Sequence, residues 1–143
     1  MRYCISDIHG EYDLFCRLME YVKFSDSDEL FVLGDMTDKG LDTVRLCNLL
    51  RKVPNIHCIL GNHECDFLKA YHGLMKNADG DYDEVLDNLR RYFPGDGMDM
   101  DWKIIDWLDS LPFYFEQEDF IGVHASVQMD DSGAVMPFSE TPY

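Results

Sequence analysis

Three times in its first half the chain runs from a short apolar stretch through a polar, glycine-containing loop into a segment of helical periodicity. The apolar stretches are Arg2 to Ile5, Leu30 to Leu33 and Ile56 to Leu60. This is the rhythm of βαβ units, in which helical crossovers join parallel strands and cover the sheet they form. An α/β fold is therefore expected. The first helix carries Leu14, Phe15, Leu18, Met19 and Val22 on one face, and the second carries Leu41, Val44, Cys47, Leu49 and Leu50 before Pro54. A third is predicted from near Glu64 towards Met75, packing Phe67, Leu68 and Tyr71.

Between Asn77 and Asp101 the chain turns rich in Asp, Gly and Asn. The pattern predicts a helix from about Tyr82 to Tyr92 and a turn at Phe93-Pro94-Gly95-Asp96-Gly97, and the stretch reads as a variable insertion beside the loops. Trp102 to Ser110 reads as another helix, with Ile104, Ile105, Trp107 and Leu108 as its apolar surface and Leu111-Pro112 as its end. The runs Phe113 to Glu116 and Phe120 to His124 flank Gln117-Glu118-Asp119 and are expected to pair as an antiparallel hairpin, followed by a loop-like tail to Tyr143. Nothing in the 143 residues suggests a linker, so residues 1–143 are read as a single domain.

A formal charge of −16 argues against nucleic acid as a partner, because binding a phosphate backbone relies on Lys and Arg to displace counterions. Although 46% of residues are hydrophobic, no apolar run approaches the roughly 20 residues of a membrane helix, so no membrane partner is expected. Met1 leads straight into the first strand without the basic start and apolar centre of a signal peptide, which makes the cytoplasm the default location. Cys4, Cys16, Cys47, Cys58 and Cys65 are odd in number, widely spaced and without a CxxC pair, and read as reduced, mostly buried thiols.

Each loop that follows a strand holds groups able to bind a metal. Ser6-Asp7-Ile8-His9-Gly10 offers Asp7 and His9, Gly34-Asp35-Met36-Thr37-Asp38-Lys39-Gly40 offers Asp35 and Asp38, and Gly61-Asn62-His63-Glu64 offers Asn62 and His63. A fourth group, His124 in Gly122-Val123-His124-Ala125, stands at the end of the hairpin. Parallel sheets gather the carboxyl ends of their strands on one edge, so these loops are expected to converge. Carboxylate, imidazole and amide ligands without thiolate suit borderline or hard divalent ions, with Mn²⁺ first and Fe, Zn, Ni or Mg as alternatives. Two such ions, roughly 3.5–4 Å apart and bridged by one carboxylate and one hydroxide, activate water and neutralise a phosphoryl group together. Asp35 is the natural bridge. His57, inside an apolar strand, and His72, on the third helix, have no motif partner and read as structural.

The motifs Asp7-Ile8-His9-Gly10, Gly34-Asp35-Met36-Thr37-Asp38-Lys39-Gly40 and Gly61-Asn62-His63-Glu64 resemble the three signature loops of the phosphoprotein phosphatase branch of the calcineurin-like metallophosphoesterases. Trp107-Leu108, Leu111-Pro112 and Val123-His124-Ala125 are similar to its bacterial and phage members, which include serine/threonine protein phosphatases and symmetrical diadenosine tetraphosphatases. The resemblance covers nearly the whole chain and implies an αββα sandwich and a dinuclear metal site. It makes Asp7 and His9 ligands of the first metal, Asp35 the bridge, and Asn62 and His124 ligands of the second. It implies hydrolysis of phosphate monoesters, as in a phosphoserine or phosphothreonine phosphatase, by a metal-bridging hydroxide. His63 would act as general acid oriented by Asp38, with Lys39 and Asn62 binding the substrate phosphate. The implied partner is a phosphorylated protein or a small phosphate ester.

Two departures qualify that expectation. Lys39 stands where the family usually has Arg, and a lysine offers a point charge without the bidentate fork. Family members also continue past the His124 motif through a second phosphate-binding Arg, further strands and a last His-containing loop, whereas no His follows His124 here. The expectation is a C-terminally truncated fold with its second sheet incomplete and its second metal one ligand short. Such a hairpin either self-associates through its exposed edge or is covered by the tail. Two further readings stay open: a dinucleoside polyphosphate hydrolase with the same metal core, and a catalytically impaired module that binds metal or phosphate. Met36 and Thr37 read as variable loop fillers, and Glu64 as a cap or charge at a helix start.

Overall fold

The computed structural model describes residues 1–76, 82–126 and 130–132. Strands β1 (Arg2–Ile5), β2 (Glu29–Val32) and β3 (Ile56–Cys58) form a parallel sheet in the order β1-β2-β3. Helix α1 (Tyr12–Tyr21) joins the first two strands and α2 (Thr43–Leu50) the second pair. Because the strands are neighbours in chain order, two crossovers of the same hand lay both helices on one face, and α1 packs on α2. Then follow α3 (Asn62–Lys76), α4 (Tyr82–Tyr92), a short 3₁₀ turn at Gly97–Asp99 and α5 (Lys103–Asp109). The predicted hairpin forms from β4 (Tyr114–Glu116) and β5 (Ile121–Val123), with Tyr114 opposite Val123 and Glu116 opposite Ile121.

Register divides the parallel sheet into two faces. Tyr3, Leu30 and Ile56 are aligned across the three strands, as are Ile5, Val32 and Cys58, and all six join the helix-side core. Residues one step along point the other way, since side chains alternate along a strand. Phe31 and His57 face the hairpin, where the Phe31 ring lies 5.2 Å from Phe115 and 5.0 Å from Phe120. His57 is thus a packing residue, 5.1 Å from the Phe31 ring, with Nε2 3.4 Å from Glu29. His72 pairs with Asp109 at 2.9 Å, joining α3 to α5. Neither lies among the candidate ligands.

The stretch read as a variable insertion is instead part of the framework, as far as its described residues show. Val85, Leu89, Tyr92 and Phe93 belong to the core, and Phe67 of α3 stacks edge-on against Phe93 at 4.9 Å. Each such apolar side chain contributes roughly 1.5–3 kcal/mol relative to exposure. Asp42, at the start of α2, makes no side-chain cap; Asp96 caps that helix from across the fold, accepting hydrogen bonds from the backbone N–H of Val44 (3.0 Å) and Arg45 (2.9 Å). Its local sequence signals only a turn, because the groups it satisfies are some fifty residues away. Residues 77–81 lie outside the described residues.

All five cysteines are free, but only Cys47 and Cys58 are fully buried, Cys4 is exposed, and Cys16 and Cys65 are intermediate. Burial pushes the Cys58 thiol up to about 12, so it is an inert core group and no thiolate. No helix among the described residues is long and apolar enough to cross a membrane.

Candidate metal centre

The loops after β1, β2 and β3 meet at the carboxyl edge of the sheet and are laced together by backbone. Asp7 N–H donates to Gly34 O (3.2 Å), His9 N–H to Asp35 O (2.9 Å), Gly10 N–H to Met36 O (2.9 Å), and Gly40 N–H to His9 O (2.7 Å). Asp38 N–H donates to Tyr92 O at 2.8 Å, so α4 also reaches this edge. Among the described residues six non-glycine residues have positive φ, and five are Asp7, His9, Asp35, Asp38 and Lys39. That conformation costs roughly 1–3 kcal/mol per residue and survives only where the surroundings over-determine it. Here the interlaced loops supply that constraint, and all five of these positions carry candidate site side chains.

Asp35, only 3% exposed, stands at the centre. Three imidazoles surround it, each tied by Nδ1 and each turning Nε2 towards the carboxylate. His9 Nδ1 meets Thr37 O at 2.8 Å, His63 Nδ1 meets Asp38 Oδ2 at 2.9 Å, and His124 Nδ1 meets Leu33 O at 2.6 Å. Their Nε2 atoms lie 3.8 and 3.7 Å from Asp35 Oδ2 for His9 and His63, and 3.3 Å from Oδ1 for His124. A ring that donates from Nδ1 to a carbonyl leaves Nε2 as the free lone pair, the arrangement in which histidine ligates metals. Asn62 Oδ1 is 2.9 Å from His124 Nε2, and Asp7 Oδ1 is 3.8 Å from His9 Nε2. A hydrogen bond from Ser6 holds the Asp7 carboxyl below its ordinary range against the opposing effect of burial, with His124, His9 and Lys39 adding to the lowering.

The donor set fits a divalent cation. Ligand atoms of His9, Asp35 and His63 all lie within 4.8 Å of one another. Lys39 gives a second indication, since its ammonium points into the cluster and donates to His9 Nε2 at 2.8 Å, a positive group drawn to that acceptor. Every residue singled out in the three loops and at the end of β5 is therefore brought to one locus.

Sequence reasoning undervalued three others. Met36 and Thr37 are both fully buried, and Thr37 supplies the carbonyl that orients His9. Glu64, also 0% exposed, caps its helix as expected by accepting from Gly61 N–H at 2.9 Å. It is no surface charge, however, because its carboxylate also accepts from the backbone N–H of Asp35, Met36 and Thr37 and from Thr37 Oγ1, each at 2.8 Å. The place of Glu64 at a helix start was legible, but the loop it reaches was not.

The model of the calcineurin-like phosphoesterases matches residues 3–136. The chain belongs to this family. Among curated relatives, the "Bis(5'-nucleosyl)-tetraphosphatase, symmetrical" of Delftia acidovorans is 33% identical, the match covering 87% of this chain and 44% of the relative. The proteins of the same name from Pasteurella multocida and Erwinia tasmaniensis are 31% and 29% identical, covering 90% and 87% of this chain and 45% and 44% of theirs. The phosphoesterase chain thus spans somewhat under half the length of these relatives. A metallophosphoesterase from Sphaerobacter thermophilus superposes with a TM-score of 0.61 at 21% identity, covering 84% of this chain and 44% of that one. A protein provisionally named a diadenosine tetraphosphatase gives 0.70 at 21% identity, with coverages of 96% and 53%. At that identity the two solved structures establish the metallophosphoesterase fold and nothing finer.

Proposed function

We propose that this chain carries the metal-dependent hydrolytic centre of a phosphoesterase whose substrates are dinucleoside polyphosphates cleaved symmetrically. The observation that carries the chemistry is the ring of three imidazole Nε2 atoms around the buried Asp35 carboxylate. The substrate class is supported by the shared name of relatives about 30% identical. The motifs alone put phosphoserine and phosphothreonine first, and that shared name moves the polyphosphate reading ahead.

In this reading Asp7, His9, Asp35, Asn62 and His124 hold two divalent ions, Mn²⁺ foremost. When bound, such ions activate water and neutralise the charge of the phosphoryl group. The chain's own groups do the rest. Asp35 joins the two halves of the site through its two oxygens. His63, held by Asp38 at 2.9 Å, delivers a proton from Nε2 to the departing oxygen, and the carboxylate steadies the imidazolium before that transfer. Lys39, exposed at the mouth, attracts a phosphate oxygen as a point charge.

The test compares a diadenosine tetraphosphate with a phosphoserine peptide in Mn²⁺ buffer, with and without chelator. Chelator-sensitive release of two nucleoside diphosphates is expected, with kcat/KM for the tetraphosphate ahead by at least about tenfold, a difference of roughly 1.4 kcal/mol in transition-state binding. Faster turnover of the peptide would return the protein phosphatase reading to first place. Absence of turnover on both, with ions bound, would favour a binding module.

A further inference from the structure

We infer that Glu64 is the positioning residue of this centre: one buried carboxylate that sets both the bridging aspartate and the tautomer of a metal-facing histidine. This rests on the reading of Asp35 and His9 as ligands. Oε1 accepts three hydrogen bonds, from Met36 N–H, Thr37 N–H and Thr37 Oγ1, and Oε2 accepts two, from Asp35 N–H and Gly61 N–H. Five donors converge on one side chain that has no exposure to water. A buried carboxylate is tolerable only when its lone pairs are engaged in this way, and once engaged it is rigid.

Two lines run from it to the site. One passes through the Asp35 N–H and holds the backbone of a residue at φ 54°, a left-handed conformation that aims the carboxylate between the imidazoles. The other passes through Thr37. With its N–H and Oγ1 both donating to Oε1, its carbonyl is directed to His9 Nδ1 at 2.8 Å, which keeps the proton there and leaves Nε2 the unprotonated acceptor that the Lys39 ammonium meets. Through Gly61 N–H the same carboxylate fixes the start of α3, and with it Asn62 and His63. Partners of this outer kind typically change metal affinity by about 10–100-fold when removed.

Glu64→Gln preserves volume but places an NH₂ group against backbone N–H donors, so at least one side of the carboxylate's contacts becomes donor against donor. Thr37→Val removes only Oγ1 and keeps the shape, whereas Thr37→Ser keeps the hydroxyl. Two readouts separate positioning from plain stability: Mn²⁺ affinity by calorimetry, and the His9 tautomer by long-range proton–nitrogen NMR on metal-free chain. Expected are an Nδ1–H tautomer in the unaltered chain, Mn²⁺ affinity about 10–100-fold weaker with mixed tautomers in Glu64→Gln, a smaller loss in Thr37→Val, and recovery in Thr37→Ser. Ile104→Ala, a buried core position of α5 outside the hydrogen-bond set of Glu64, should lower Tm without changing either readout. If Glu64→Gln does not fold, Thr37→Val against Thr37→Ser decides. Unchanged affinity and tautomer in the folded variants would overturn the inference. Failure of the unaltered chain to bind Mn²⁺ would instead remove the ligand reading, and the tautomer measurement would still judge the Glu64 relay.

Discussion

Replacing His63 with Asn should lower kcat by about 10²–10⁴ on an alkyl phosphate such as a phosphoserine peptide while leaving bound metal and Tm nearly unchanged. His63 is 23% exposed at its side chain, and its side-chain partner Asp38 is itself at the rim, so an amide of similar polarity fills the place without opening the core. The loss depends on the leaving group. An alkoxide is a strong base and cannot depart without a proton, whereas a nucleoside diphosphate leaves as a stabilised anion and needs less help. The same variant should therefore lose less on a dinucleoside tetraphosphate. Asp35→Asn is the contrasting case, because the changed group is central, buried and faces three imidazoles. It should lose turnover together with metal content, measured on the desalted protein. Equal loss on both substrates for His63→Asn would remove the proton-donor role, and retained turnover in Asp35→Asn would remove the metal reading itself.

Gly61→Ala should damage fold and site together. An added Cβ would stand 2.2 Å from Asp35 Oδ1 and 2.4 Å from Asp35 N, and Gly34 on the neighbouring loop already lies so close that a Cβ there would meet Gly61 N at 2.5 Å. The ends of β2 and β3 thus approach backbone to backbone, and the Asp35 carboxylate occupies the slot that the missing side chain leaves. To admit a methyl group either the carboxylate leaves the imidazoles or the strand ends splay, and overpacking of this kind costs about 3 kcal/mol. For a chain of this size that corresponds to a Tm lower by about 10 °C. Mn²⁺ binding should fall with it, because the displaced group is the proposed bridge. A melting curve and a calorimetric titration check both; a Tm within about 2 °C and unchanged affinity would show that the close approach is not needed.

The linear order of residues determined the parallel sheet, its helices, the hairpin and the set of loops that hold Asp7, His9, Asp35, Asp38, Asn62, His63 and His124. These are read from short-range information: alternation along strands, the 3.6-residue period of Phe15, Val44 and Phe67, and a glycine in each polar loop. Convergence itself also followed, because parallel strands joined by short crossovers deliver their carboxyl ends to one edge whatever the side chains are. What only the tertiary structure decided is how the converged groups are held. Asp96 caps a helix some fifty residues away, Tyr92 lends its carbonyl to Asp38, and Leu33 and Thr37 lend theirs to His124 and His9. Backbone carbonyls carry no residue identity, so no sequence pattern could announce those contacts. Glu64 shows the same limit in a side chain. Its place at a helix start announced a cap or a charge, while its reach to Asp35, Met36 and Thr37 depends on two strands lying side by side, a fact of packing that local chemistry does not encode.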